Sequence, residues 1–194
     1  RQVEARTETF PFAAPDYPQG SRIATEALIR AGARRIAFIG GLEGRAVTQE
    51  RMSGYLAAIA EAGLEPLVLT GRGTRARLRE NEKRLKAAQR MARDCPEVDG
   101  AFCFNDQVAL GMLSGCAEIG RVVGRELRIV GFDDIEESAH AWPPLSSVRC
   151  DIDGFGKRIA DMILAWLEDG KVPAPETRTP VTMVLRGSSG DPGG

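Results

Sequence analysis

Apolar positions along the chain follow two alternating patterns, one at helical spacing and one in short continuous runs. Residues 17–41 contain both patterns in succession. A helix over the first part of this stretch would place four apolar side chains on one face: Ile23, Ala27, Leu28 and Ala31. Gly32 predicts the end of that helix, and the apolar run 36–39 that follows is typical of a strand covered on both faces.

The same succession of helix and strand repeats along the rest of the chain. Further helices are predicted at 48–62, 75–93, 106–119 and 154–170. Further strands are predicted at 66–70, 101–104, 128–132, 146–149 and 180–186, with a weaker edge strand at 3–12. This alternation favours an α/β fold, in which a Rossmann-like parallel sheet is flanked by helices.

Composition and charge narrow the class of protein. The 194 residues suffice for one large domain or two small lobes, and the net charge of −1 creates no overall field that attracts nucleic acid or a membrane. The four cysteines form no CxxC pair, which disfavours a metal cluster or a disulfide framework and fits a reducing cytoplasm. Neither a membrane span nor the apolar core of a signal peptide is present in the sequence, and without an initiating Met we expect a piece of a longer chain.

Ligands of parallel α/β sheets bind at the carboxyl ends of the strands, and this rule selects three loops. They are the loop 40–51 after the strand at 36–39, the pair Asn105–Asp106, and the pair Asp133–Asp134. The two aspartates after 128–132 could form a turn or helix cap, or accept hydrogen bonds from adjacent hydroxyls of a sugar or nucleoside. A metal site is less favoured, because a hard cation requires several oxygen ligands and no other acidic cluster follows a strand.

The other two loops offer a similar choice. Asp106 opens a helix, so capping is its expected task, which leaves Asn105 free to meet a ligand hydroxyl. Arg51 could be an ordinary surface arginine or could project its five donors into the cleft. Trp142, beside two prolines, could stack on a sugar face, although anchoring its loop to the core is favoured.

Motifs for catalysis are missing from the sequence. The loop GGLEGRAV lacks both the ending of a P-loop and the GxGxxG pattern of a dinucleotide site. His140 is the only histidine and no serine lies in a GxSxG motif, so a nucleophilic enzyme is disfavoured. The basic segment 71–94 could bind nucleic acid, but its apolar residues at heptad spacing favour a solvated helix.

Five segments in order resemble the effector-binding domain of the LacI/GalR (lactose-repressor) family of bacterial transcription regulators. They are GSRIATEALIRAGARRIAFIGG, ERMSGYLAAIAEAGL, DGAFCFNDQVALGML, RIVGFDDIEESAHAWPPLSSVR and LRGSS, within residues 16–189. The resemblance implies a periplasmic binding protein-like type I fold, with two lobes and a ligand in the cleft between them. It also implies that Arg51, Asn105 and Asp133 contact oxygens of a small, sugar-like effector, while Asp106 and Asp134 are structural.

The resemblance further implies a homodimer that binds operator DNA through a helix-turn-helix domain absent from this chain. Residues 1–187 would be a partial effector-binding domain, made of a C-terminal lobe at 12–145, a segment at 146–172 that crosses to the N-terminal lobe, and a return strand at 173–187. Residues 188–194 are expected to be a disordered tail. We expect a ligand-sensing domain without catalytic residues, metal or cofactor. The alternative is a solute-binding protein of a sugar transporter, and a Rossmann-type enzyme is the third hypothesis.

Two positions depart from the family pattern. The segment TGRGTRARL has no aromatic residue where many members place one that stacks on the ligand, and Cys150 stands where the family often has Gln. The sequence therefore leaves the identity of the effector open.

Overall fold

The computed structural model describes residues 11–71 and 93–190 of the chain, in which helices and strands alternate. The helices are α1 (Tyr17–Arg30), α2 (Ala46–Glu61), α3 (Asp106–Ile119), α4 (Glu136–His140) and α5 (Ile152–Asp169). The strands are β1 (Phe12–Pro15), β2 (Ile36–Leu42), β3 (Leu67–Gly71), β4 (Gly100–Cys103), β5 (Arg128–Asp133), β6 (Ser146–Cys150), β7 (Glu176–Thr179) and β8 (Val181–Val184). A short 3-10 helix, Gly187–Ser189, follows β8.

Six of these strands form one sheet in the order β3-β2-β4-β5-β6-β8. Neighbouring strands are parallel except β8, which runs antiparallel to β6. β1 and β7 pair in parallel as a separate two-stranded sheet. The Rossmann-like α/β fold predicted from the sequence is confirmed.

Helices cover both faces of the six-stranded sheet. On one face, α1 and α2 pack through a core that contains Leu28, Tyr55 and Phe102. On the other face, α3 packs through a core that contains Met112 and Ile129. Because both faces are covered, the central strands can be continuously apolar, which is the pattern that the sequence shows at 36–39.

The helices α1 and α2 touch through small residues. A Cβ atom on Gly54 of α2 would lie 1.9 Å from the backbone oxygen of Pro18, so only glycine allows this approach. The predicted apolar face of α1 is offset from the one observed, since Ile23 is only half-buried. The buried residues of α1 are Gly20, Ser21, Ala24, Thr25, Ala27 and Leu28.

Several boundaries differ from the sequence-based prediction. The strand predicted at 180–186 is shorter, and β7 before it and α4 were not predicted. The tail expected to be disordered from residue 188 is ordered at its start, because Ser188 and Ser189 are buried against β6. The predicted strand at 3–12 and helix at 75–93 lie almost entirely outside the described residues, as do residues 191–194.

The long helix α5 stands apart from both cores. It contains no buried residue. Five of its apolar side chains are exposed: Ile152, Ile163, Leu164, Trp166 and Leu167. Among the described residues, no helix is long and apolar enough to cross a membrane.

Candidate functional site

The candidate site lies at the carboxyl ends of three adjacent parallel strands, β2, β4 and β5. The loop after β2 leads into α2, which carries Arg51, while Asn105 follows β4 and Asp133 ends β5. Parallel strands bring these three connections to one edge of the sheet, as the strand-end rule predicts.

Arg51 and Asp133 form a direct ion pair. Nη2 of Arg51 donates to Oδ1 of Asp133 across 2.9 Å. The side chain of Arg51 is only 6% exposed, whereas that of Asp133 is 40% exposed. The carboxylate therefore reaches solvent and can accept further hydrogen bonds, while the guanidinium lies beneath it.

Aromatic rings surround the buried guanidinium. Its Cζ atom lies 3.9 Å from the ring centroid of Phe132, 4.7 Å from that of Phe104 and 4.8 Å from that of Tyr17. Arg51 also donates from Nη1 to the backbone oxygen of Phe104, and its Nε is buried without a hydrogen-bond partner among the described residues. These contacts replace much of the hydration that burial removes from the cation.

The backbone at Asp133 and Asp134 is unusual. Both residues have positive φ angles, 105° and 51°, which non-glycine residues seldom adopt. Burial raises the pKa of Asp133 above its usual value, and the charge and hydrogen bond of Arg51 lower it in part. A carboxylate held in strained backbone beside a buried cation is typical of a functional site.

The N-cap of α3 is Asn105, whereas the sequence-based prediction assigned capping to Asp106. Asn105 is the N-cap of α3, and its side-chain oxygen accepts a 3.1 Å hydrogen bond from the amide of Val108. Its side-chain NH2 group still donates to none of the described residues, so it remains available to a ligand. Asp106 does not cap its own helix, because its carboxylate points away from the helix end into the protein.

Asp106 is instead the centre of a buried hydrogen-bond network. It is completely buried and accepts hydrogen bonds from Ser147 Oγ at 2.6 Å, Ser138 Oγ at 2.8 Å and the amide of Ile135 at 2.9 Å. Gly131 makes room for it, since a Cβ atom there would lie 2.1 Å from Oδ1 of Asp106. The network fixes the turn that follows Asp133, in agreement with the structural role that the resemblance implied.

Asp134 is held by two arginines on the side away from Arg51. Arg149 Nε donates to its Oδ2 at 2.6 Å, and Arg186 Nη1 donates to its Oδ1 at 2.7 Å. The Asp134 side chain is only 3% exposed, so its charge is neutralised within the protein. Adjacent carboxylates thus have separate surroundings: Asp133 is partly exposed to solvent, and Asp134 ties the end of β5 to β6 and to the segment after β8.

Trp142 does not join this site. It precedes β6 at the amino end of the sheet, where the neighbouring Pro143 packs near Gly187, while Asp133 lies at the opposite end. The expectation that Trp142 anchors its loop to the core is wrong, because the side chain is 91% exposed. His140 ends the short helix α4 rather than lying in a loop.

The segment GGLEGRAV contains the end of β2, a connection of three residues and the start of α2. Gly40 and Gly41 adopt φ angles of 95° and 74°, and the amide of Leu42 donates to the Thr48 hydroxyl at 3.1 Å. This arrangement shapes the connection into α2 and so places Arg51.

Sequence reasoning missed the aromatic and thiol groups around the ion pair. Tyr17 and Phe104 flank Arg51, and Cys150 is buried near the same charges. Burial and the nearby Asp133 raise the pKa of Cys150 to about 11, with Arg51 opposing them, so the group is a neutral thiol at pH 7. No group of three or more His, Cys, Asp or Glu side chains suited to a metal ion occurs in the described part of the chain.

Comparison with known proteins finds a domain family and several similar proteins. The family model described as a periplasmic binding protein-like domain matches residues 25–189. The HTH-type transcriptional regulator CelR of Thermobifida fusca is 32% identical over 188 residues, which cover 95% of this chain and 52% of that protein. The chain thus spans about half the length of the curated relatives it matches.

Solved structures agree with this placement. The structure described as a transcriptional regulator CelR-cellobiose complex superposes with a TM-score of 0.81 at 28% identity, covering 93% of this chain and 54% of that one. A regulatory protein of the LacI family from Chloroflexus aggregans superposes with a TM-score of 0.80 at 30% identity, covering 94% of this chain and 64% of that one. The chain belongs to the periplasmic binding protein-like domain family.

Proposed function

We propose that the chain is the ligand-sensing part of a DNA-binding transcriptional regulator and binds a small, sugar-like effector. The observation that carries the proposal is the Arg51–Asp133 pair at the strand ends, with the free amide group of Asn105 beside it. Together they offer donors and a half-exposed acceptor to a ligand rich in hydroxyl groups. The relative CelR, solved with cellobiose, supports a sugar as the effector class.

The charges of the site favour a neutral effector. The guanidinium of Arg51 is already paired with Asp133, and the neighbouring Asp106 adds a further buried carboxyl group. A phosphate group would be repelled by the partly exposed carboxylate of Asp133. An uncharged sugar avoids this repulsion and uses the carboxylate as an acceptor.

The mechanism that we propose is a shift between conformations. An effector that binds one arrangement of the two lobes more tightly than another stabilises that arrangement. The change in lobe arrangement alters the affinity of a distant DNA-binding domain, and no covalent bond is made or broken. Asp134 supports such coupling, because it links the effector-binding turn to Arg149 on β6 and to Arg186 after β8. These two strands border the segments that lead to and from α5.

The exposed face of α5 supports the division of the domain. We propose that 12–145 form the C-terminal lobe, that 146–172 cross to a first lobe of the effector-binding domain, and that 173–187 return. The apolar side chains Ile163 and Leu167 are 48% and 76% exposed, as expected of a helix that packs on a partner surface. The assembly is proposed to be a cytoplasmic homodimer that contacts operator DNA through a helix-turn-helix domain. The transporter alternative is less favoured, since CelR is named as a transcriptional regulator.

The proposal is tested by calorimetric titration of the full encoded polypeptide with cellobiose, D-ribose and D-xylulose. We expect one of these sugars to bind, and Asp133→Ala to weaken binding by about 5- to 150-fold, which corresponds to about 1–3 kcal/mol. Glu97→Gln, at an exposed position before β4 and at the opposite end of the sheet from Asp133, is the matched control and should bind like the parent. Equal affinity of Asp133→Ala and the parent would overturn the site assignment. If the upstream coding sequence encoded a signal peptide instead of a helix-turn-helix domain, the proposal that the protein is a transcriptional regulator would be overturned.

A further inference from the structure

Tyr17 lies beside the ion pair, although no sequence pattern selects it. It is the first residue of α1, directly after Asp16, whose carboxylate caps the helix through the amide of Gln19 at 3.0 Å. The half-buried ring lies 4.8 Å from Cζ of Arg51 and 6.0 Å from the ring centroid of Phe132. The N-terminus of α1 therefore adds a side chain to the strand-end site from a second direction.

The two tyrosines of the chain differ in how their hydroxyl groups are paired. Tyr55 is fully buried, and its hydroxyl donates to the backbone oxygen of Ile36 at 2.8 Å and accepts from the amide of Leu67 at 2.9 Å. The hydroxyl proton of Tyr17 has no acceptor among the residues that the structure describes. This phenol can therefore donate to an acceptor other than the described residues, such as a ligand oxygen or water.

The oxygen of Tyr17 lies among the charges of the site. Burial raises the pKa of the phenol, the Arg51 guanidinium lowers it, and Cys150 and Asp133 raise it. The geometry agrees, since the ring of Tyr17 lies 4.8 Å from Cζ of Arg51, which itself donates to Asp133. The raised pKa keeps the phenol protonated at neutral pH, so it acts as a hydrogen-bond donor.

We propose that Tyr17 is a further effector-contacting residue, whose hydroxyl donates to an oxygen of the ligand bound over the Arg51–Asp133 pair. The Tyr17 hydroxyl would donate a hydrogen bond to the ligand, and the Asp133 carboxylate would accept one from it. A ligand with a ring oxygen or hydroxyl oxygen at this point is selected over one that presents an N–H or C–H group there. This inference rests on the proposed function, because it needs an effector in the same cleft.

The test compares Tyr17→Phe with Tyr55→Phe in the full encoded polypeptide. Affinity is measured by calorimetry for whichever of cellobiose, D-ribose and D-xylulose binds the parent, and stability is measured by urea denaturation. We expect Tyr17→Phe to raise the Kd about five- to tenfold with unchanged stability, and Tyr55→Phe to lower stability with unchanged Kd.

The outcomes separate this inference from the proposed function. If the parent binds a sugar and Tyr17→Phe binds it equally well, Tyr17 is not a contact, while the proposed function stands. If Tyr17→Phe loses stability as Tyr55→Phe does, the hydroxyl is structural and the inference fails. If the parent binds none of the three sugars, the sugar effector and the Tyr17 contact are both overturned.

Discussion

The guanidinium of Arg51 donates a 2.9 Å hydrogen bond to the carboxylate of Asp133, although 82 positions separate the two residues in the sequence. The pair is asymmetric, since the Arg51 side chain is 6% exposed and that of Asp133 is 40% exposed. Water can compensate Asp133 if its partner is removed, but it cannot reach Arg51 equally well. Removing the two partners should therefore have unequal effects on stability.

Asp133→Ala should destabilise the fold more than Arg51→Met. The first change leaves a buried cation without its counter-ion, and it places Ala at a φ of 105°, with an expected loss of about 1–3 kcal/mol in unfolding free energy. In Arg51→Met, the thioether packs among the same aromatic rings without a charge, so the loss should stay below about 1 kcal/mol. Urea denaturation at pH 7 measures both. A larger loss for Arg51→Met would show that the arginine stabilises the fold beyond its pairing with Asp133.

Gly131→Ala should disrupt the turn beneath the site. The added Cβ atom would lie 2.1 Å from Oδ1 of Asp106, so the buried network must move, at a cost of about 1–3 kcal/mol. Ser114→Ala on the exposed side of α3 is the control, because it adds no atom to the core and alanine favours the helix. Thermal unfolding should show a lower Tm for the first variant and an equal or higher Tm for the second. Equal Tm values in the two variants would contradict the packing of Gly131 on Asp106.

The strand-end positions of Arg51, Asn105 and Asp133 could be predicted because parallel strands and the loops that follow them are legible in the apolar pattern. The hydrogen-bond partners of the side chains could not be predicted in this way. Sequence reasoning made Asp106 the cap of α3, whereas Asn105 caps that helix and Asp106 binds residues 29 to 41 positions away. Such distant contacts depend on the register between β5 and β6, which local spacing does not encode.

The tail and the Trp142 loop illustrate the same limit. GSSG has the composition of a disordered end, but the hydroxyls of Ser188 and Ser189 meet Ser146 on β6. Tryptophan is a large apolar residue that is usually well buried, yet Trp142 is exposed. Residue type alone therefore predicts neither the burial of these serines nor the exposure of Trp142.

The stability contributed by Asp106 should depend on pH. Burial raises its pKa, and hydrogen bonds from Ser147, Ser138 and Ile135 lower it in part. A carboxyl group with a folded-state pKa above its unfolded value contributes stability that is present below the unfolded pKa and lost as pH rises through the folded pKa. The unfolding free energy of the parent minus that of Asp106→Asn should therefore increase as the pH falls from neutrality toward about 4. Denaturation curves at four pH values measure this difference, and a decrease over the same range would show that the pKa is lowered instead.

Ser188→Ala should lower stability even though the residue lies near the end of the chain. Its hydroxyl donates to the backbone oxygen of Ile129 at 2.6 Å and accepts from the amide of Ser146 at 2.8 Å, both in the buried sheet. Removal leaves two buried backbone groups without that partner, with an expected loss of about 1–3 kcal/mol. Ser114→Ala on the exposed side of α3 is the control and should change stability by less than about 0.5 kcal/mol. Similar values for the two variants would mean that the tail contributes nothing to the fold.

Fluorescence of Trp142 tests whether this residue is exposed and lies away from the effector site. Its side chain is 91% exposed, against 40% for Trp166, so Trp142 should emit like an indole in water and be quenched readily by iodide. Trp142→Phe should remove most of the quenchable emission, while Trp166→Phe should leave it. Because Trp142 lies at the amino end of the sheet, Trp142→Phe should also leave the affinity for a cleft-bound sugar unchanged. A loss of affinity in that variant, with retained affinity in Trp166→Phe, would place the effector near the exposed indole and away from Asp133.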